Sequence, residues 1–159
     1  MATSAVVGEK APDIALLGEQ GVAVKLSELL GRKTVVLYFY PKDDTPGCTV
    51  EACTFRDTYE DFVDAGADVI GVSADGESSH AAFKAKHRLP FTLLTDPDGA
   101  AAKAFGVKKT LGLFAGRVTF VIDRGGVVRH RFDSQLRVKE HAGQALSLVK
   151  QLQAGAHGS

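Results

Sequence analysis

The sequence predicts an α/β fold: a mixed, partly parallel sheet with helices packed on its faces. Three observations carry this. Runs of β-branched and aromatic residues without polar alternation recur, as expected of strands covered on both sides. Helix-period stretches alternate with them, which makes neighbouring strands parallel. Glycine-turned hairpins near each end add antiparallel pairing. The 159 residues suit one domain with its own core. Residues 1–159 are therefore read as a single domain, with residues 154–159 ("GAHGS" and the alanine before it) as a flexible tail.

The elements follow in order. "DIALL", "GEQG" and "VAVKL" form an N-terminal β-hairpin extension, and "SELLG" is a helical turn at most. "TVVLYFY" (residues 34–40) reads as a central strand, "DVIGVSA" (residues 68–74) as a second and "FTLLTD" as a third. Between the first two, residues 47–65 repeat apolar positions at helical spacing: Ala52, Phe55, Tyr59, Phe62 and Val63. Gly66 follows as the residue that closes a helix. "ESSHAAFKAKHRL" is a second helix stopped by Pro90, and "GAAAKAFG" a short third. "RVTFVID" and "VVRHRFD" pair around Gly125 and Gly126, and "KEHAGQALSLVKQLQA" is the C-terminal helix.

Composition excludes several classes. Lysine plus arginine balances aspartate plus glutamate, 19 against 19, so no basic footprint for nucleic acid or a membrane surface is present. No apolar run is long enough to span a bilayer. Glu9, Lys10 and Asp13 interrupt the start of the chain, so no secretory leader is expected. Two cysteines are too few for a secreted disulfide scaffold, and a close pair in a reducing cytosol points to catalysis or metal. The five histidines, at positions 80, 87, 130, 141 and 157, lack HxH and HxxxH spacing. No metal site is expected, and all five are read as surface residues. Glu51, Arg56 and Asp57 are read as helix-surface charges, and Tyr38 and Tyr40 as packing.

Both cysteines, Cys48 and Cys53, lie in "YFYPKDDTPGCTVEACTFRD". The loop "PKDDTPG" leaves the carboxyl end of a parallel strand, where α/β folds place ligand sites. Cys48 falls in the first turn of the next helix, after Pro46. Unpaired backbone N–H groups and the positive end of the helix dipole favour a thiolate there. The Thr45 hydroxyl, three residues before it, is placed to donate a hydrogen bond to a substrate oxygen. Cys48, Ala52, Phe55, Tyr59 and Phe62 share one inward stripe, whereas Cys53 shares the face of Asp57 and Glu60. Five residues of ideal helix separate the two Cα atoms by about 8.6 Å, beyond the ~7 Å a disulfide tolerates. An intact helix therefore forbids the bond. The plain reading, two small buried residues, competes with catalysis, and the helix-start position of Cys48 favours catalysis. A disulfide oxidoreductase of the thioredoxin type would instead want CxxC.

The stretch "PKDDTPGCTVEACTFRD" resembles the peroxiredoxin Q, or bacterioferritin-comigratory protein, branch of the peroxiredoxins. Pro41, Thr45 and Cys48 match the family's Pro-x-x-x-Thr-x-x-Cys, and Cys53 matches its second cysteine. "SHAAFKAKHRLPFTLLTDPDGAAAKAFGV" and "GRVTFVIDRGGVV" are similar to the same branch. The resemblance implies a thioredoxin-like fold. It implies a thiol peroxidase acting on hydrogen peroxide and organic hydroperoxides, without cofactor or metal. In that mechanism Cys48 becomes a sulfenic acid, Cys53 resolves it as a disulfide, and thioredoxin or a similar dithiol donor reduces the bond. Thr45 and Arg117 would support charge on the oxygens, and Pro41 would wall the pocket. A cytoplasmic monomer is expected. A redox sensor or holdase using the same Cys48 chemistry is the alternative function.

Overall fold

The computed structural model describes residues 6–18, 21–30, 33–110, 114–134 and 137–157. Its strands are β1 (Ala15–Leu17), β2 (Ala23–Lys25), β3 (Thr34–Phe39), β4 (Ala67–Ser73), β5 (Thr92–Thr95), β6 (Lys109–Thr110), β7 (Phe114–Ala115), β8 (Val118–Ile122) and β9 (Val128–Asp133). The helices are α1 (Leu26–Leu29), α2 (Pro46–Asp64), α3 (Glu77–His87), α4 (Ala100–Ala104) and α5 (Val138–His157), with a 3-10 turn at Pro97–Gly99 before α4.

Seven strands make one sheet in the order β2-β1-β5-β4-β3-β8-β9. β3 pairs in parallel with β4 and β4 with β5, while β8 lies antiparallel to β3 and β9 to β8. The predicted element order holds. All six residues of β3 are buried, because the strand is central and helices cover both faces. Val36, Tyr38 and Tyr40 point toward Cys48, Ala52, Phe55 and Phe62 of α2, Phe83 of α3, and Ala142, Ala145 and Val149 of α5. Val35, Leu37 and Phe39 point the other way, toward Leu26 of α1 and Ala101 and Ala102 of α4, with Phe105 beyond it. This two-sided burial explains why the strand has no polar alternation.

α2 is tied down along its inward stripe. Phe55 is fully buried and stacks on Tyr38 with ring centroids 4.5 Å apart. Deleting such a ring costs about 3–5 kcal/mol, so Phe55→Ala would loosen the helix that carries both cysteines. Gly66 ends α2 as expected, at φ +81, where a side chain would be strained.

Three details differ from the sequence reading. α3 stops at Arg88, which turns left-handed at φ 52, rather than running on to Pro90. The short β6–β7 pair was not expected; it is too brief for a periodic pattern to show. α5 continues to His157, four residues into the stretch read as a tail, and residues 158–159 lie outside the described residues.

Candidate active site

The Tyr40 amide donates to the Val72 carbonyl at 3.1 Å, so pairing with β4 continues to the end of "TVVLYFY". The chain then leaves the sheet through Pro41, Lys42, Asp43 and Asp44. Asp44 has φ +60, and aspartate is among the few residues that tolerate this. Its carboxylate meets Lys86 of α3 at 3.0 Å. Thr45 is extended and Pro46 opens α2. The Thr49 amide donates to the Thr45 carbonyl at 2.8 Å. The amides of Gly47 and Cys48 thus precede the first intrahelical bond, at the positive end of the helix dipole. Cys48 sits in this turn and is 1 % exposed, and its thiol is free.

Arg117, just before β8, reaches this turn from the neighbouring strand. Its guanidinium lies close enough to Cys48 for the two groups to interact electrostatically. It lies so close over the helix start that a Cβ at Gly47 would meet its Nη2 at 2.9 Å. Glycine at position 47 is what lets the cation approach. Arg117 Nη1 donates to Glu51 Oε1 at 2.7 Å, and both side chains are almost wholly buried. Burial works against the arginine's charge, but the charges of Glu51 and Cys48 hold its pKa above the ordinary value. Burial pushes the Glu51 carboxyl up to about 8, against the pull of Arg117.

Behind Glu51 stands His141 of α5, with Nδ1 3.6 Å from Glu51 Oε2. The His141 Nε2 lies 2.7 Å from the Ser134 carbonyl, so Nε2 carries the proton. Nδ1 then accepts from the Thr119 hydroxyl at 2.7 Å. The ring is neutral, and burial lowers its pKa to about 4. Glu51 Oε2, Arg117 Nε and the Tyr38 hydroxyl have no hydrogen-bond partner among the described residues. Tyr38 is driven well above its ordinary pKa by burial first, then by Glu51 and Cys48.

Thr45, Cys48 and Arg117 therefore meet at one helix start, and Pro41, four residues before Thr45, is half-buried like Thr45 in the loop that leads into it. Several expectations are corrected. The Thr45 hydroxyl, expected as a donor to substrate, gives its proton to the Lys42 carbonyl at 2.9 Å, which leaves its oxygen to accept. Glu51 is no surface charge; it is fully buried. It lies one turn from Cys48 at i+3, the same helix face, and that spacing is the signal that would have found it. His80 and His141 are buried as well, not on the surface. Cys53 is half-buried and free, and α2 runs unbroken through both cysteines. A groove of about 640 Å³ opens beside this turn, lined by Gly47, Val50, Arg137, Val138, Lys139 and Glu140.

The AhpC/TSA family model matches residues 7–131. This chain belongs to that family, within its peroxiredoxin Q and Bcp branch. It is 47% identical over 146 residues to the chloroplastic peroxiredoxin Q of Oryza sativa subsp. japonica, covering 91% of this chain and 67% of the rice protein. It is 47% identical over 152 residues to peroxiredoxin Bcp of Bacillus subtilis (strain 168), covering 92% and 96%. Among solved structures, peroxidoxin BcpB of Mycobacterium tuberculosis superposes with a TM-score of 0.85 at 37% identity, over 92% of this chain and 97% of that one. The bacterioferritin comigratory protein of Xanthomonas campestris, described for its alkyl peroxide reduction activity, gives 0.79 at 34%, over 88% and 92%. The fold is thus the thioredoxin-like one of peroxiredoxins, and the chain is a thiol peroxidase.

Proposed function

We propose that Cys48 is the attacking thiol, Cys53 its resolving partner, and hydrogen peroxide and organic hydroperoxides the substrates. The observation that carries this is Cys48, sealed into the first turn of α2 with the Arg117 cation held against it by Glu51. The Cys48 thiolate attacks one peroxide oxygen. An S–O bond forms, the O–O bond breaks, and the alkoxide or hydroxide that leaves takes up a proton. Arg117 and the free amides at the helix start face the oxygens on which charge develops. The Thr45 oxygen accepts the peroxide's own O–H, and Pro41 keeps water from the rim. The Cys48 sulfenic acid then condenses with the Cys53 thiol, giving a disulfide and water. Thioredoxin or a similar dithiol reduces it back to two thiols.

The resolving step requires motion. An intact helix keeps the two Cα atoms about 8.6 Å apart and turned by about 140°, so the bond opens the first turns of α2. Amides of residues 49–55 should then exchange much faster in the oxidised protein, while β3 is unchanged. Equal protection in both redox states would show that the helix survives the bond.

The decisive test is turnover. With thioredoxin, its reductase and NADPH, the protein should consume many equivalents of peroxide, whereas a sensor that hands its oxidation to a partner would stop near one. Cys53→Ser should consume about one equivalent of peroxide and leave a trappable sulfenic acid. Failure to form it, with activity kept in Cys48→Ser, would reverse the two assignments. Two free thiols in a close pair suit a reducing cytoplasm. A cytoplasmic monomer is the state we infer, to be checked by fractionation and by sedimentation near 16.8 kDa.

A further inference from the structure

A second buried polar cluster lies under the loop that carries Pro41 and Thr45. Its centre is Asp43, which is 6 % exposed. The Tyr40 hydroxyl donates to Asp43 Oδ1 at 2.5 Å, and the Ser79 hydroxyl to Oδ2 at 3.0 Å. The Nδ1 of His80, on α3, sits 2.7 Å from the same Oδ2. The other ring nitrogen, Nε2, lies 3.1 Å from the Leu94 carbonyl of β5. The Asp43 amide is also held, donating to Asp75 Oδ2 at 2.7 Å, and that carboxylate takes the Ser73 hydroxyl as well.

Counting protons narrows the ring to two states. A carbonyl oxygen only accepts, so Nε2 must carry hydrogen. If Asp43 is ionised its Oδ2 only accepts, and Nδ1 carries hydrogen too; the other count the distances allow is a neutral pair with that proton on Asp43. The Tyr40 hydroxyl, 3.5 Å from Nδ1, has already given its proton to Asp43 and cannot supply one. With Asp43 ionised, His80 is an imidazolium facing a carboxylate, and both side chains are buried. His141, whose Nδ1 accepts from Thr119, has the opposite, neutral state.

We propose that His80 is a positioning residue for peroxide reduction: as a doubly protonated ring it clamps Asp43 and thereby fixes the loop from Pro41 to Thr45 beside Cys48. Asp43 is two residues from each of them. The Thr45 hydroxyl bonds to the carbonyl of Lys42, the residue adjoining Asp43, so a shift of Asp43 passes directly to the pocket rim. Displacing an orienting group by about 1 Å costs on the order of a hundredfold in rate. The inference rests on the reading that Pro41 and Thr45 border the peroxide.

Two measurements test it. Long-range proton–nitrogen spectra of the reduced protein near neutral pH should show hydrogen on both ring nitrogens of His80, assigned by its disappearance in His80→Gln. A single protonated nitrogen would overturn the imidazolium clamp. In His80→Gln and Asp43→Asn the rate constant for peroxide should fall about tenfold or more, while alkylation of Cys48 by iodoacetamide stays within about twofold. A peroxide rate within about twofold of the unaltered protein, or equal losses in both reactions, would also overturn it. If neither variant folds, the ring spectrum of the unaltered protein, assigned through bonds from the His80 backbone, decides. Thr45→Val separates the two possible failures. A slow Thr45→Val beside an unaffected His80→Gln sinks the clamp alone. An unaffected Thr45→Val beside a slow His80→Gln sinks the reading of the rim, and the proposed route with it.

Discussion

The polar atoms around Cys48 and those around Asp43 are both sealed from solvent, yet they are satisfied to different degrees. At Asp43 both carboxylate oxygens and both nitrogens of His80 have partners. At Cys48, Glu51 Oε2, Arg117 Nε and the Tyr38 hydroxyl have none among the described residues. An unpaired buried polar group costs about 1–3 kcal/mol, so the second arrangement opposes stability. The difference teaches where each cluster's free energy is directed. A saturated network holds a loop in one place. An unsaturated one keeps charge and hydrogen-bonding capacity free beside the sulfur proposed to react.

The comparison can be broken at its centre first. Cys48→Ser should abolish peroxide reduction, because a hydroxyl is not ionised near neutral pH and no second nucleophile lies in the pocket as proposed; NADPH-coupled turnover measures this. Activity retained in Cys48→Ser would move the reaction to Cys53. Next is Arg117→Ala, expected to slow the attack on the order of a hundredfold with little change in fold, the usual effect of removing one transition-state donor. A stopped-flow rate within about twofold would remove Arg117 from the chemistry.

Smaller effects sharpen the contrast. Gly47→Ala places a Cβ 2.9 Å from Arg117 Nη2, so the cation must shift away from Cys48. A loss of about tenfold in peroxide rate is expected, between a modest displacement and outright removal, with melting temperature nearly unchanged. A larger melting shift than rate loss would mean that the helix start, not the cation, is disturbed.

The smallest expected effect is on stability against pH. Folding raises the Glu51 pKa from 4.5 to about 8. Its stabilising share is therefore full below about pH 4.5 and is lost as pH climbs toward 8. Folding lowers the His141 pKa from 6.5 to about 4. Its share is full above about pH 6.5 and is lost as pH falls toward 4. Glu51→Gln should thus gain stability relative to the unaltered protein between pH 5 and pH 8, and His141→Gln should flatten the acid limb. Urea unfolding at several pH values checks both. An unchanged pH profile for Glu51→Gln would place its ionisation outside that window.

Much of this was legible in the residues. The apolar run at residues 34–40 announced a two-sided strand, and the stripe Cys48, Ala52, Phe55 pointed the thiol inward. Local periodicity suffices there because burial repeats along one element. Arg117 entered through resemblance alone, since its approach to Cys48 depends on β8 lying beside β3. The burial of His141 and His80 is hidden from the sequence for a related reason. Each is a polar residue on a helix whose partner belongs to a distant segment: Thr119 and Ser134 for one, Asp43 and Leu94 for the other. Only topology brings those groups together. Glu51 was the avoidable miss, because i+3 from an inward cysteine is itself inward.

The unbroken run of α2 through Cys48 and Cys53 also sets a clock. On the proposed pairing, each cycle includes melting a helical turn and winding it again. Until that turn melts, the sulfenic acid waits in the pocket, and a second peroxide arriving first converts it to sulfinic acid, which the dithiol donor does not reverse. Tolerance of high peroxide is then a race between encounter and fraying. Substitutions that stiffen the start of α2 without touching the pocket would leave the first oxidation as fast as before and shorten the enzyme's working life.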